Sequence, residues 1–315
     1  MKYSLPQLLQ ENIGLHPSQF ERLIRRAPDT YKHYTIKKRT GGDRWIAQPA
    51  KETKYIQHWL IENIFLKFPV HRCAMAYKAG TSIAINAAAH SKNSYLAKFD
   101  FSNFFNSIKY HNVNDFLSLL LVDSFSPDDI DNMARVSCVR EPDFGLCLSV
   151  GAPSSPLLSN AILYEFDSRI EYWCQERSIT YTRYADDLTF STNEKGACSE
   201  IHKFLVDSLI DFDCPVLRLN DKKTIHSSKR FQRRVTGLII NNDGMVSLGR
   251  GRKREISAMI HKFRYKDLAE SESYRLQGLL GFARDAEPSF VESMNKKYGN
   301  EILSSIYSLR KPKES

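Results

Sequence analysis

Tyr181-Thr182-Arg183-Tyr184-Ala185-Asp186-Asp187-Leu188-Thr189-Phe190-Ser191 sets two adjacent acids between runs rich in β-branched and aromatic residues. Such runs predict strands, and the polar pair between them predicts the bend of a hairpin spanning Ile179 to Thr192. Polar turns often contain Asp, so this pair alone is ordinary turn chemistry. A second acid changes that reading. Tyr95-Leu96-Ala97-Lys98-Phe99 is an apolar, strand-like run that delivers Asp100 to its end, where the chain turns at Phe101-Ser102-Asn103 into Phe104-Phe105. Taken singly, Asp100 reads as a helix cap or turn residue. Brought beside Asp186 and Asp187 on a neighbouring strand, it would raise their pKa values unless a cation intervened. Mg²⁺ takes a few carboxylate oxygens together with substrate phosphates, so such a cluster suits phosphoryl transfer with two metals.

Outward from these two sites the chain alternates helices and short strands, without an internal repeat or a low-complexity linker. Residues 1–30 read as helical, with Ser18 as a cap before Phe20, Leu23 and Ile24. Tyr34 to Pro49 reads as two short strands around Gly41-Gly42, since glycine supplies the positive φ of a tight hairpin. A helix follows, with Ile56, Leu60, Ile64 and Leu66 as its apolar stripe and Pro69 at its end. An Ala-rich helix is expected over Ile83 to His90, and others over Val113 to Leu121 and Pro127 to Val139. Ser154-Ser155-Pro156 opens a long helix towards Arg177, with a serine cap and proline in the first turn. From about Arg252 the chain is helical, and Glu287-Pro288 separates two of its helices.

The charge is concentrated. Between Lys222 and Lys266 lie thirteen Lys or Arg against two acids, so this segment carries +11 within a chain of net +9. A basic run is often only a solvated face. This one is rich in arginine, whose planar fork suits bidentate phosphate contacts, and it points to a polyanionic partner. At 315 residues with 42% hydrophobic content, the chain exceeds the size at which a single core usually stops growing. The six cysteines are scattered without a Cys-x-x-Cys pair, which suggests reduced thiols and no zinc motif. No stretch reaches the roughly 18 apolar residues of a membrane span, so a soluble, cytoplasmic protein without a membrane partner is expected.

At these residues the sequence resembles the reverse transcriptase family. Tyr184-Ala185-Asp186-Asp187 is similar to its Tyr-x-Asp-Asp hairpin, and Lys98-Phe99-Asp100-Phe101-Ser102-Asn103-Phe104-Phe105 to the motif carrying its other aspartate. The resemblance implies an α+β chain with a right-hand polymerase fold: fingers, ferredoxin-like palm and helical thumb. It divides the chain into an N-terminal segment and fingers (1–95), a palm with an inserted fingers segment at about 110–150 (96–245) and a basic thumb (246–315). It also implies two Mg²⁺ ions, with Mn²⁺ as the alternative, held by Asp100, Asp186, Asp187 and Phe101.

Further matches follow in order. Lys38-Arg39-Thr40-Gly41-Gly42-Asp43-Arg44 resembles the fingers hairpin that grips the incoming dNTP, which assigns Lys38 and Arg44 to its phosphates. Ser149-Val150-Gly151-Ala152-Pro153 resembles the motif in which a glycine lets backbone approach the nascent base pair, although Val150 stands where glutamine is usual. Leu219-Asn220-Asp221-Lys222-Lys223-Thr224 resembles the motif whose lysine acts on pyrophosphate; Lys223 is the choice and Lys222 the alternative. Phe105, with Phe101 in the nucleotide site, is the bulky residue expected to exclude a 2′-hydroxyl, which favours DNA as product.

Asn86-Ala87-Ala88-Ala89-His90 and Val235-Thr236-Gly237-Leu238 are similar to elements of the family's retron branch. Asn86 and His90 are four apart and share a helix face, which also suits a structural hydrogen-bonded pair. The resemblance implies that RNA is bound by Asn86, His90, Arg233, Arg234, Arg250, Arg252, Lys253 and Arg254. The expected partners are a cognate structured noncoding RNA and its DNA product, dNTPs, a host ribonuclease H and an effector protein. Three alternatives stay open: another bacterial reverse transcriptase, an RNA-dependent RNA polymerase, and a catalytically silent RNA-binding scaffold.

Overall fold

The computed structural model describes residues 2–37 and 41–310. Helix α1 (Leu5–Ile13) buries Leu5 and Leu9, and α2 (Pro17–Arg26) buries Phe20 and Ile24. The cap of α2 is His16, whose side chain accepts the Ser18 amide, rather than Ser18 itself. Pro17 explains the shift, because its fixed φ suits the first helical position and starts the helix two residues earlier. Strands β1 (Tyr31–Lys37) and β2 (Asp43–Pro49) form the expected hairpin, in register from Tyr31↔Pro49 to Lys37↔Asp43. In α3 (Lys51–Asn63) Ile56 and Leu60 are buried as expected, but Leu66 is 62% exposed. The chain tightens into a 3₁₀ turn over Phe65–Lys67, and Phe65 takes the inward position instead.

Helix α4 (Ile83–Ala89) is capped by the Ser82 hydroxyl, which accepts the Ile85 amide at 3.2 Å. Strand β3 (Tyr95–Asp100) has the expected bounds, and α5 (Phe104–Ser107), α6 (Tyr110–Leu121) and α7 (Pro127–Ser137) follow it. Val139 lies in strand β4 (Val139–Glu141), paired with β5 (Gly145–Cys147), and not at the end of a helix. The single long helix expected after Ser154 is two, α8 (Ser155–Ile162) and α9 (Tyr164–Gln175), interrupted at Leu163. Neither glycine nor proline marks that break. The Ser154 hydroxyl caps nothing; the Ser155 hydroxyl instead accepts the Ser149 amide at 3.2 Å.

Strands β6 (Thr180–Tyr184) and β7 (Asp187–Thr192) make the second hairpin, followed by α10 (Ala197–Asp211) and β8 (Ile225–Ser228). The strand order of this sheet is β6-β7-β3-β8. A three-stranded sheet comprises β9 (Arg233–Val235), β10 (Leu238–Ile240) and β11 (Val246–Ser247) in the order β11-β10-β9. The chain ends in α11 (Arg250–Arg264), α12 (Glu270–Ala286), α13 (Pro288–Tyr298) and α14 (Asn300–Tyr307), with Glu287-Pro288 separating α12 from α13.

The chain divides into two compact units: Met1–Lys78, Lys98–Leu188 and Ser199–Thr224; and Ala79–Ala97, Thr189–Cys198 and Ile225–Ser315. In the first, Phe101 stacks on Phe104 at 5.8 Å and meets Phe166 edge-on at 5.9 Å, which anchors the chain just beyond Asp100. In the second, Val235, Leu238, Ile240 and Leu96 share a core with Ile256, Ile260, Leu276, Leu280 and Leu303. Val235 closes β9, and Thr236-Gly237 form the tight turn into β10. Thr236 and Gly237 sit at φ 45° and 83°, the paired positive values of a type I′ hairpin. The Thr236 hydroxyl, which donates to the Ile83 carbonyl at 3.2 Å, helps hold that backbone.

Candidate active site

Backbone bonds bring the two acidic motifs together. The Phe101 amide donates to the Asp186 carbonyl at 3.0 Å, so the end of β3 lies against the β6–β7 bend. On the other side, the Asn220 amide donates to the Asp100 carbonyl at 2.7 Å and the Ser102 amide to the Arg218 carbonyl at 2.8 Å. That pairing leads into the 3₁₀ turn Asp221–Lys223 and delivers Lys223, whose Nζ lies 2.7 and 2.8 Å from the two Asp100 carboxylate oxygens. Of the two candidate lysines, it is Lys223 that reaches the carboxylate. Asp187 is flanked by Lys98, with Nζ at 3.9 Å.

The bend is built with strain and then buttressed. Only Ala185 and Asp186 separate the two strands, and Ala185 sits at φ 58°. A left-handed alanine costs roughly 1–2 kcal/mol. Arg183 supports it from beneath: its guanidinium donates to the Ala185 carbonyl at 3.2 Å and to the Asn160 side-chain oxygen at 3.1 Å. The same guanidinium is paired with Asp167 at 2.5 Å, and both side chains are fully buried. The Tyr181 hydroxyl donates to Asp167 at 2.7 Å, which satisfies the carboxylate further. Sequence reading missed this group, because Arg183 looks like any strand residue and its partner lies on α9.

The electrostatics fit a cation. Burial raises the Asp100 pKa to about 6, against the bonds from Lys223, and the neighbouring Asp186 and Asp187 push it further up. Burial and Asp187 raise Asp186 as well, while Lys223 and Arg44 pull it down. The Lys223 ammonium therefore already sits where positive charge is needed, and the oxygen donors suit a hard divalent ion. Because folding raises the Asp100 pKa, the stability it contributes is fully present below about pH 4 and is lost as pH rises through about 6. Two pKa units correspond to roughly 3 kcal/mol at full ionisation. Adding Mg²⁺ to metal-free protein should therefore raise the melting temperature more at pH 8 than at pH 5. Equal shifts in calorimetry at the two pH values would refute the coupling.

The expected nucleotide contacts differ in exposure and surroundings. Phe104 is 5% exposed and belongs to the core, whereas Phe105 is half-buried, which distinguishes the two rings in the expected register. The Phe101 ring is buried, so only its backbone is available to the site. Gly151 sits at φ 122°, and a Cβ there would lie 2.8 Å from the Ala47 carbonyl oxygen. The close approach it permits in this structure is to β2, where the Ala47 amide donates to the Val150 carbonyl at 2.9 Å. Arg44 is exposed and close enough to lower the pKa of Asp186. Tyr77, at φ 59°, adds a hydroxyl near Asp186 that no motif signalled. Lys38 lies outside the described residues.

In the second unit the expected RNA contacts separate into two groups. Arg234, Arg250 and Arg254 are exposed, and Arg234, Arg250 and Arg252 help line a groove of about 830 Å³. Arg252 also lies over the Phe282 ring at 4.9 Å. Arg233, Asn86 and His90 are corrected, for their side chains are buried. Arg233 donates to the Asn93 carbonyl and, at 2.5 Å, to the Asn241 carbonyl. His90 Nδ1 lies 2.7 Å from the Ser191 hydroxyl, to which Asn93 also donates. The Asn86 side-chain amide is buried and has no hydrogen-bond partner among the described residues. Lys253 is held by Glu287 at 2.5 Å, the carboxylate that also accepts the Leu248 amide. The alternation along β9 was an available signal: Val235 faces the core, so Arg233 two residues earlier does too.

Asp100, buried at the end of β3 and bound by Lys223, meets the half-buried Asp186 of the neighbouring bend, an arrangement that suits phosphoryl transfer. Residues 36–240 match the family model described as reverse transcriptase (RNA-dependent DNA polymerase). The chain is 40% identical to the retron Ec83 reverse transcriptase of Escherichia coli over 91% of this chain and 93% of that one. It is 31% identical to the retron Ec73 reverse transcriptase of the same organism, over 89% and 90%. Among solved structures, telomerase from Candida albicans with a telomeric RNA fragment aligns with 93% of this chain and 60% of its own, at 11% identity and a TM-score of 0.48. The chain belongs to the reverse transcriptase family, in its retron branch. With that membership come the right-hand polymerase fold, RNA-directed DNA polymerase activity and the family's use of divalent metals. No helix among the described residues is long and apolar enough to cross a membrane.

Proposed function

We propose that this enzyme copies a cognate structured noncoding RNA, primes from a 2′-hydroxyl within it, and leaves a branched RNA–DNA molecule, the msDNA of a retron. The observation that supports the chemistry best is the meeting of Asp100 and Asp186 across the Phe101 amide. Asp100, Asp186 and the Phe101 carbonyl would hold two Mg²⁺, or Mn²⁺ in their place, with Asp187 beside them. When bound, the ions would supply activation of the primer hydroxyl and neutralisation of the departing pyrophosphate. Arg44 and Lys38 orient the dNTP phosphates, and Gly151 keeps the chain beneath the nucleotide close to β2. Lys223, whose ammonium lies on the Asp100 carboxylate, would be the residue to give a proton to pyrophosphate. Arg234, Arg250, Arg252 and Arg254 meet RNA phosphates. A host ribonuclease H removes the copied RNA, and an effector protein completes an anti-phage system.

Phe105 sets the sugar. Phe105→Val should admit ribonucleotides by removing the ring that blocks a 2′-hydroxyl, and Phe104→Val should not. Competing dNTP and rNTP incorporation measures this, and the reverse outcome would move the gate by one residue.

Priming is tested on the product. The enzyme is co-expressed with its adjacent noncoding RNA, and the DNA is treated with ribonuclease and then with a 2′,5′-debranching enzyme. A mobility shift on debranching is expected. DNA with unchanged mobility and no RNA at its 5′ end would refute self-priming and leave the polymerase assignment intact.

A further inference from the structure

Apart from the polymerase site, one group of donors converges with no place in the chemistry above. His71, Cys73 and Glu171 each turn one ligand atom inward, and the three atoms lie within 4.8 Å of one another. His71 Nε2 is 3.4 Å from one Glu171 oxygen, and Cys73 Sγ is 3.0 Å from the other. A tetrahedral zinc ion with ordinary bond lengths sets its ligand atoms roughly 3.4–3.6 Å apart, so side-chain rotation of about 1 Å would bring these three atoms into a coordination shell. His71 and Cys73 are buried, while Glu171 keeps a solvent-facing side that leaves room for a water as fourth ligand. Arg72 Nε lies 2.7 and 2.9 Å from the Glu171 oxygens, the outer support that metal-bound carboxylates commonly have.

We infer that His71, Cys73 and Glu171 form a second metal site, selective for a borderline-soft divalent ion such as Zn²⁺ over Mg²⁺. The donor set decides the class: imidazole, thiolate and one carboxylate suit zinc, whereas magnesium prefers oxygen alone. On coordination the Cys73 S–H bond is replaced by a bond from sulfur to the metal, and the proton passes to solvent.

Its effect is that of a staple. The Cys73 carbonyl accepts the Arg183 amide at 2.8 Å, and the Met75 amide donates to the Arg183 carbonyl at 2.7 Å. Residues 73–75 thus edge β6, the strand that ends in the Asp-Asp bend. Glu171 and Asp167 are four residues apart on α9, so one helix face holds both the Arg183 buttress and this cluster. An ion here ties the edge of β6 to that same face. The spacing 71, 73 and 171 hides the constellation from any sequence motif.

The test uses Co²⁺ as the probe, on full-length enzyme with Mg²⁺ present. Wild type should bind one equivalent with a thiolate-to-cobalt charge-transfer band, and Zn²⁺ should displace it. Cys73→Ser and Glu171→Gln should lose the band and at least about tenfold in affinity, whereas Cys214→Ser, at an exposed thiol, should keep both. X-ray absorption on cobalt-loaded wild type needs no variant and should show one sulfur in the shell. A shell without sulfur, or a band that survives in Cys73→Ser, would overturn the site.

Discussion

Asp186→Asn is expected to slow DNA synthesis by about 10³-fold or more, since a bound metal supplies several kcal/mol of charge stabilisation and each 1.36 kcal/mol is tenfold in rate. The substitution keeps the size of the side chain, and the Arg183 bond to the Ala185 carbonyl does not involve the carboxylate it removes. The bend should therefore survive, and with it the arginine surface of the other unit. RNA binding across a salt series should match wild type in both affinity and slope. Single-turnover primer extension provides the rate. Extension at the wild-type rate would remove Asp186 from the chemistry.

The second large effect concerns Arg183. Replacing it with methionine leaves Asp167 as a buried charge without its partner, which typically costs 3–5 kcal/mol. The double variant Arg183→Met with Asp167→Leu should regain most of that stability in urea unfolding, because neither charge then remains buried. It should not regain activity, since the Ala185 carbonyl still lacks the guanidinium that holds the strained bend. Recovery of stability and synthesis together would show that the pair matters only for folding. A single variant as stable as wild type would show that the pair is not the buttress described.

The parts of the molecule that were readable in the sequence are those governed by local periodicity. Strand β3 and the β6–β7 hairpin alternate or run apolar over five or six residues and end in polar punctuation; β3 appears with the expected bounds, and the hairpin begins at Thr180, one residue after the expected Ile179. What was not readable depends on distant partners. Arg183 lies within the stretch that decided the fold, yet its role comes from Asp167 and Asn160 on other elements. The break at Leu163 carries no local signal. In the basic segment, counting charge treated all arginines alike, although the inward side of β9 removes Arg233 from the surface and Glu287 claims Lys253. Composition measured the charge of that segment correctly and its available charge too generously.

Diffraction from a ternary complex of the wild-type enzyme with primer, RNA template and a non-reactive dNTP, soaked in Mn²⁺, is the most direct measurement. Anomalous peaks should lie between the Asp100 and Asp186 carboxylates, with the Lys223 ammonium no longer bonded to Asp100. A dNTP seated with Lys223 still on Asp100, and with no manganese touching either carboxylate, would contradict the assignment of this site to metal-dependent synthesis.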